Sequence, residues 1–392
     1  MPFAFYLAGF FIIGLAVFWH ILLPHLFLLL SVICKKQIHT IFYRRCYTIS
    51  EKNCAHIENR KRLDDMNIMV IGGTGLLGFH TILSGLNKGH SFGSLAIDDV
   101  ELGDWFPKDV EIHIGNVFEM TKEQLSEIFR GYEGVVYALG PDDRVVPAAP
   151  AYDFFHQRLV LNCEKALIAA REAGVKRCAV LNSYFAYFDR LWPHLKLSER
   201  HPYIKCRKEQ AKSATAAGGD SMAVMILELP YIFGSMPGRV PLWKEVFLDE
   251  YTKGRTIYFP RGGTNMIAAR HVGEAVIGAL ERGEHGARYP IGDENHTFNE
   301  MLEMMMSAIG EKKRIVNIPR FIAALAGSMI ERSRRKQGLE GGLNAAYLMQ
   351  DILTRELYFD ASETSEALGH GRGGLEESII ETMRSCYPEK FS

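Results

Sequence analysis

The sequence predicts an α/β fold: a doubly wound parallel sheet, followed by a smaller C-terminal α/β lobe and preceded by an N-terminal hydrophobic helix. Three observations predict it. Apolar strand-like runs alternate with helix-like runs from Asn67 to Ser183, and such alternation implies right-handed crossovers with helices on both faces of the sheet. A run of spaced glycines separates the first strand from the first helix. The chain of 392 residues is also long enough for such a domain with an appended lobe.

The first strand is Asn67-Ile-Met-Val-Ile71, and its glycines fit two registers, Gly72-x-x-Gly75-x-x-Gly78 and Gly73-x-Gly75-x-x-Gly78. Each glycine has a physical role in a strand-turn-helix: one for the tight turn, one for close approach to a pyrophosphate, and one for packing helix on strand. The helix expected from about Leu76 to Leu86 would aim its N-terminal N–H groups at phosphates. A second strand, Ser94-Leu-Ala-Ile-Asp98, ends in an acid 20 residues after Gly78. Asp98 is placed to accept hydrogen bonds from an adenosine ribose, with Asp99 as its rival, and its charge would repel a 2′-phosphate. NAD is therefore expected in preference to NADP.

Further along, Val110–Ile114 reads as a strand, Thr121–Arg130 as a helix, Gly134–Gly140 as a buried strand, Leu159–Ala173 as a helix and Lys176–Ser183 as a strand. Ser183 stands at a strand's carboxyl end, where ligands of such sheets bind. After Pro202, a helix start signal, Tyr203 and Arg207 are four apart and share a face. A phenol with an ordinary pKa of about 10 is a poor base, but a nearby cation favours the phenolate. Ser183 could hold a substrate oxygen while Tyr203 exchanges its proton.

These motifs resemble the short-chain dehydrogenases/reductases, in particular their extended branch of epimerases, dehydratases and 3β-hydroxysteroid dehydrogenases. The resemblance covers about residues 66–385. Gly72–Gly78 is similar to the family's nucleotide loop, Lys176–Ser183 to the strand ending in its serine, and Tyr203–Arg207 to its Y-x-x-x-K helix. Leu229–Gly234, Arg288–Gly292 (a strand of the substrate lobe) and Leu357-Tyr-Phe-Asp360 with Leu375-Glu-Glu-Ser378 follow in the family's order.

The resemblance implies a Rossmann-type NAD(P)-binding domain over 66–234 and a substrate lobe over 235–392, interleaved with the last sheet strands. It implies Ser183, Tyr203 and Arg207 as catalytic residues. Cofactor contacts are expected from Gly72, Thr74, Gly75, Leu76, Leu77 and Gly78, then from Asp98, Asn116 and Val117. Ala138, Leu139, Gly140 and Pro230 join Tyr203 and Arg207 on the nicotinamide side. Two departures stand out. Arg207 replaces the family's lysine, keeping the charge but not the ammonium's geometry, and Asn116 replaces its adenine-binding aspartate. Lys208 would point about 100° away from Tyr203's face.

The implied activity is NAD(P)-dependent alcohol–ketone interconversion on a hydrophobic, sterol- or terpenoid-like molecule. Its alternatives are a nucleotide-sugar epimerase or dehydratase with tightly bound NAD, and a catalytically weak NAD-binding scaffold. Arg239, Arg261 and Arg270 could clamp a pyrophosphate, whereas Trp243, Phe247 and Tyr258 suit a lipid-like substrate. The segment Pro319–Lys336, apolar in front and basic behind, suits a helix that caps the cleft or rests on a membrane.

Residues 1–36 are read as a transmembrane anchor and 37–65 as a basic polar linker. Pro2–Cys34 carries no formally charged side chain, enough to cross a bilayer core that needs roughly 20 residues. Lys35, Lys36, Arg44 and Arg45 follow, placing the remainder in the cytosol by the positive-inside rule. If translation begins at Met66, a cytoplasmic protein is expected instead. A net charge of −1 gives no sign of nucleic-acid binding. Seven cysteines without C-x-x-C spacing point to free thiols rather than a metal site. A small-molecule substrate, the membrane and a second copy of the chain are the partners compatible with this reading.

Overall fold

The computed structural model describes residues 65–97 and 102–391. Residues from Asp65 onward form one compact unit. The anchor and linker expected over residues 1–65 (Asp65 apart), and Asp98 and Asp99, lie outside the described residues. Among the described residues, no helix is long and apolar enough to cross a membrane.

The first strand, β1 (Asn67–Ile71), explains the layering. Its side chains alternate by the period of two that a strand imposes. Ile68 and Val70 enter the core on one face with Phe79 and Ile82 of helix α1 (Leu76–Leu86). Met69 and Ile71 enter the other with Leu125 and Phe129 of α2 (Lys122–Phe129) and Ala166, Leu167 and Ala170 of α3 (Asn162–Glu172). All four strand residues are fully buried, as a parallel strand covered on both faces requires.

The remaining strands are β2 (Ser91–Ala96), β3 (Glu111–Ile114), β4 (Gly134–Tyr137), β5 (Arg177–Ser183), β6 (Ala223–Leu229), β7 (Tyr231–Phe233), β8 (Thr256–Pro260), β9 (Gly263–Ala268), β10 (Arg288–Pro290), β11 (Glu294–Thr297), β12 (Arg314–Ile318) and β13 (Glu356–Leu357). The main sheet has seven parallel strands in the order β10-β6-β5-β4-β1-β2-β3. The order reverses between β1 and β4, and the crevice beyond their carboxyl ends is where such sheets bind ligands. Helices α4 (Tyr184–Leu191) and α5 (Pro202–Gly218) follow β5, and α6 (Ala269–Arg282) covers the α1 face.

Expected elements shift in several places, and the buried strand expected over Gly134–Gly140 ends at Tyr137. The second strand begins at Ser91, three residues before Ser94. Arg288–Gly292, expected as a strand of the substrate lobe, instead contributes β10 to the edge of the main sheet, paired in parallel with β6. Its apolar partners are supplied by β6, which a local motif does not reveal.

The chain leaves the main sheet at Pro230. The residues just after it form β7, which pairs with β9 in a second sheet ordered β11-β9-β13. Proline offers no N–H to a ladder, so the strand is cut there and redirected. A separate pair, β12-β8, and helices α7 (Phe298–Ala308), α8 (Arg320–Lys336) and α9 (Leu375–Cys386) complete this part. Its core gathers Phe233, Phe259, Phe298, Met301, Met305, Ile379 and Met383.

Candidate active site

A cavity of about 1060 Å³ runs from the glycine loop to this second core. The loop end is set by backbone geometry. Gly72 has φ +89°, and a Cβ on Gly78 would stand 2.2 Å from the Gly72 carbonyl oxygen, so helix and strand approach only because both lack side chains. A Cβ on Gly75 would meet nothing closer than that same oxygen at 3.3 Å. Beyond that tight backbone contact no other atom lies within 4 Å, which leaves a cradle open on the remaining side. Helix α1 starts there with no side-chain cap and no acid in its first turn, so its N–H groups are free to receive an anion.

Of the expected cofactor residues, Gly72, Gly75, Leu76, Leu77 and Gly78 line the cavity, as do Ala138, Leu139 and Gly140 beyond β4 and Pro230 beyond β6. Thr74 and Val117 are buried away from it. Asn116 is also outside the lining. Its side-chain oxygen accepts the Phe118 N–H at 3.0 Å, closing its own turn.

The three expected catalytic residues come together in the lining: Ser183, Tyr203 and Arg207. Ser183 caps α4, its Oγ accepting the Phe185 N–H at 3.3 Å, which leaves the hydroxyl proton to be donated elsewhere. Arg207 is buried and donates Nε–H to the Tyr203 hydroxyl at 2.9 Å. Its Nη1 donates to the Leu181 carbonyl at 3.1 Å and to Gln210 Oε1 at 2.9 Å. Asn182 anchors this arrangement, donating to the Arg207 carbonyl and to Gln210 Oε1. Lys208 instead pairs with Asp189 at 2.9 Å on the outer side of the helix.

The nearby cation was expected to favour the Tyr203 phenolate. Burial is the larger effect and pushes the phenol above its ordinary value; Arg207 pulls back, and the charges of Asp143 and Asp142 add to the rise.

Sequence reasoning missed this acidic group. Asp142, Asp143 and Arg144 follow β4 and line the cavity. Arg144 grips Asp142 through Nε at 2.6 Å and Nη2 at 2.8 Å and lies 5.3 Å from the Trp243 ring centre. Burial works against the Asp142 carboxylate, but the bonds from Arg144 hold it below its ordinary range. Asp143, desolvated and beside Asp142, is pushed up to about 7. An Asp-Asp-Arg run in a loop has no period to mark it; only the position after a buried strand was a signal.

The substrate end is lined by Tyr184, Tyr231, Trp243, Phe247, Tyr251 and Phe259. Arg239 lines it as expected, and Arg334, not anticipated, does too. Two of the three expected clamping arginines are elsewhere. Arg261 is exposed and outside the lining, and Arg270 ties α6 to Ser378 and to the Gly373 and Gly374 carbonyls. Tyr258 is also outside, on the exposed side of β8.

No protein-family profile matches the chain, and no curated protein does. Solved structures are similar in fold. The crystal structure of gox2253 is 17% identical, with a TM-score of 0.66, over 83% of this chain and 98% of that one. MoeE5, solved with UDP-glucose and NAD, is 15% identical with a TM-score of 0.59, over 83% and 100%. The UDP-N-acetylglucosamine 4-epimerase of Bacillus cereus is 16% identical with a TM-score of 0.56, over 81% and 98%. The chain thus shares its fold with these structures, among them an epimerase and a protein solved with NAD.

Proposed function

We propose that the protein is an NAD-dependent enzyme acting at a secondary alcohol carbon, of the nucleotide-sugar epimerase or dehydratase type. The observation that carries this reading is the Arg207–Tyr203 hydrogen bond in the same cavity as the uncapped α1 N-terminus. The open cradle at Gly75 fits a pyrophosphate, with Leu76, Leu77 and Gly78 offering backbone N–H groups. Ala138, Leu139, Gly140 and Pro230 would flank the remainder of the dinucleotide. Preference for NAD over NADP rests on Asp98 and its charge. When bound, NAD supplies a hydride acceptor for the substrate's carbinol carbon.

The chain's own residues do the rest. Tyr203 exchanges the hydroxyl proton of the substrate, and Ser183 donates a hydrogen bond to the same oxygen. Arg207, fixed by Leu181 and Gln210, stabilises the phenolate that forms. Arg239 and Arg334 have the charge and donor geometry for a diphosphate. The relatives in fold that were solved with UDP-sugars support this substrate class over a steroid.

A second reading keeps the residues and changes the substrate. The aromatic lining of Trp243, Phe247 and Phe259 favours an oxidoreductase for a hydrophobic alcohol or ketone. Incubation with NAD and a panel of nucleotide sugars and apolar alcohols separates the two. Sugar interconversion with no net change in the nicotinamide absorbance supports the first reading, and NADH accumulation with apolar alcohols supports the second. Turnover by neither, with NAD still bound, would leave a binding scaffold.

A further inference from the structure

Helix α8 turns its apolar side outward. Its buried face is made of Ala323, Gly327 and Glu331. Gly327 packs so tightly that a Cβ there would meet the Ala345 carbonyl oxygen at 2.3 Å. The outer face carries Phe321, Leu325 and Met329, four residues apart and 74%, 64% and 66% exposed, with Ile322 and Ile330 at its edges. A contiguous exposed apolar strip of this kind marks an interaction surface.

The charges beside the strip are all of one sign. Arg332, Arg335 and Lys336 are exposed and continue the helix past its apolar part. Its only acid, Glu331, is buried, pairs with Arg334 at 3.1 Å and accepts the Ala345 N–H. The exposed face therefore offers no carboxylate. A symmetric contact between two copies of α8 would leave these cations without acidic partners, whereas an anionic membrane surface meets both halves: acyl chains for the strip, headgroups for the cations.

The strip also adjoins the cavity. Ile330 and Arg334 belong to the cavity lining, together with Val240 and Leu242, which are 59% and 61% exposed. We propose that the outer face of α8 docks on an anionic lipid bilayer and holds the cavity mouth at the membrane surface. This docking is independent of which substrate the cavity takes.

Amide hydrogen exchange of the full-length protein tests it, with phosphatidylcholine vesicles containing or lacking phosphatidylserine. Exchange over 320–336 is expected to slow severalfold with anionic vesicles and much less with neutral ones. Each basic residue near such a surface contributes roughly fivefold in affinity. The R332Q/R335Q/K336Q variant should thus need about 100-fold more lipid for the same slowing. Leu325→Glu with Met329→Glu should abolish it while thermal unfolding stays unchanged, since both positions are exposed. Four outcomes would overturn the proposal: no lipid-dependent slowing; slowing indifferent to lipid charge and to these substitutions; protection without lipid that grows with protein concentration, assigning the face to a second copy; or exchange over 320–336 that quickens in the Leu325→Glu, Met329→Glu variant without lipid and at every protein concentration, assigning it to the chain's own N-terminal segment.

Discussion

Arg207 holds the Tyr203 hydroxyl at 2.9 Å from one turn further along the same helix. A lysine at this place would bring one ammonium on a flexible stem. The guanidinium instead spends Nη1 on Leu181 and Gln210 and Nε on the phenol, so its charge is fixed where a phenolate would form. The guanidinium is thus a fixed partner of the tyrosine.

Replacing Tyr203 by Phe removes the proposed proton-exchanging group and leaves the buried Arg207 Nε–H without that acceptor, while the ring keeps its edge-on packing against Phe155. Turnover is expected to fall by roughly 100-fold to 10,000-fold, the usual contribution of a positioned acid–base group. NAD affinity, measured by calorimetry, should change little. Unchanged turnover would remove Tyr203 from the chemistry.

Arg207→Gln should move the pH dependence in a defined direction. Arg207 lowers the Tyr203 pKa against the upward push of burial, so its removal raises that pKa further. If the phenolate is the active form, the acidic limb of the kcat profile shifts to higher pH. A limb that stays in place would mean that Arg207 does not bias the tyrosine.

The glycine loop makes a prediction about folding as much as binding. A methyl at Gly78 would press on the Gly72 carbonyl at 2.2 Å, and backbone cannot yield as a side chain tip does. Gly78→Ala is expected to cost about 1–3 kcal/mol of stability in a denaturant titration and to weaken NAD binding. Gly75→Ala, whose methyl would meet the same oxygen at 3.3 Å, should cost less stability than Gly78→Ala while also weakening the binding.

How much of this was legible in the sequence depends on where the partners lie. The loop and the Tyr203–Arg207 pair are local, three and four residues apart, and were readable from spacing. Asn182 and Gln210 were not. One is the last residue but one of β5 and the other rides on α5, and only the folded sheet brings them together at 3.0 Å. Asn116 and Arg270 failed in the opposite sense. Each had the right chemistry for a ligand, but Asn116 bonds the Phe118 N–H and Arg270 bonds the loop before α9. The strip on α8 was visible as an amphipathic segment, while its outward orientation follows from Gly327 and Ala323 packing inward.

Asp143 ties stability to pH. Its carboxyl, desolvated and beside Asp142, has a pKa pushed up to about 7, above the ordinary value of 3.8. The folded state therefore holds this proton more tightly than the unfolded state. Its contribution is most favourable at low pH and is lost as pH rises from about 4 to about 7. Asp143→Asn, which cannot ionise, should gain on the wild type across that window in thermal melts and run parallel to it above. Melting curves that differ by the same amount at every pH would show that Asp143 titrates normally.

Arg239 gives the cleanest test of the substrate class. Arg334 is unsuitable alone, because its loss would strand the buried Glu331 carboxylate and destabilise α8. Arg239 lies in the lining on the stretch between β7 and Trp243, and a diphosphate held there would be bound alike in ground and transition states. Removing such uniform binding raises KM and leaves kcat in place. Hydrogen bonds to a charged group are each worth about 1.5–3 kcal/mol, so Arg239→Ala should raise KM for a nucleotide sugar by roughly 10-fold to 150-fold. KM for an apolar alcohol should not move. An equal loss for both substrates, or a fall confined to kcat, would mean that Arg239 shapes the cavity rather than recognising a diphosphate.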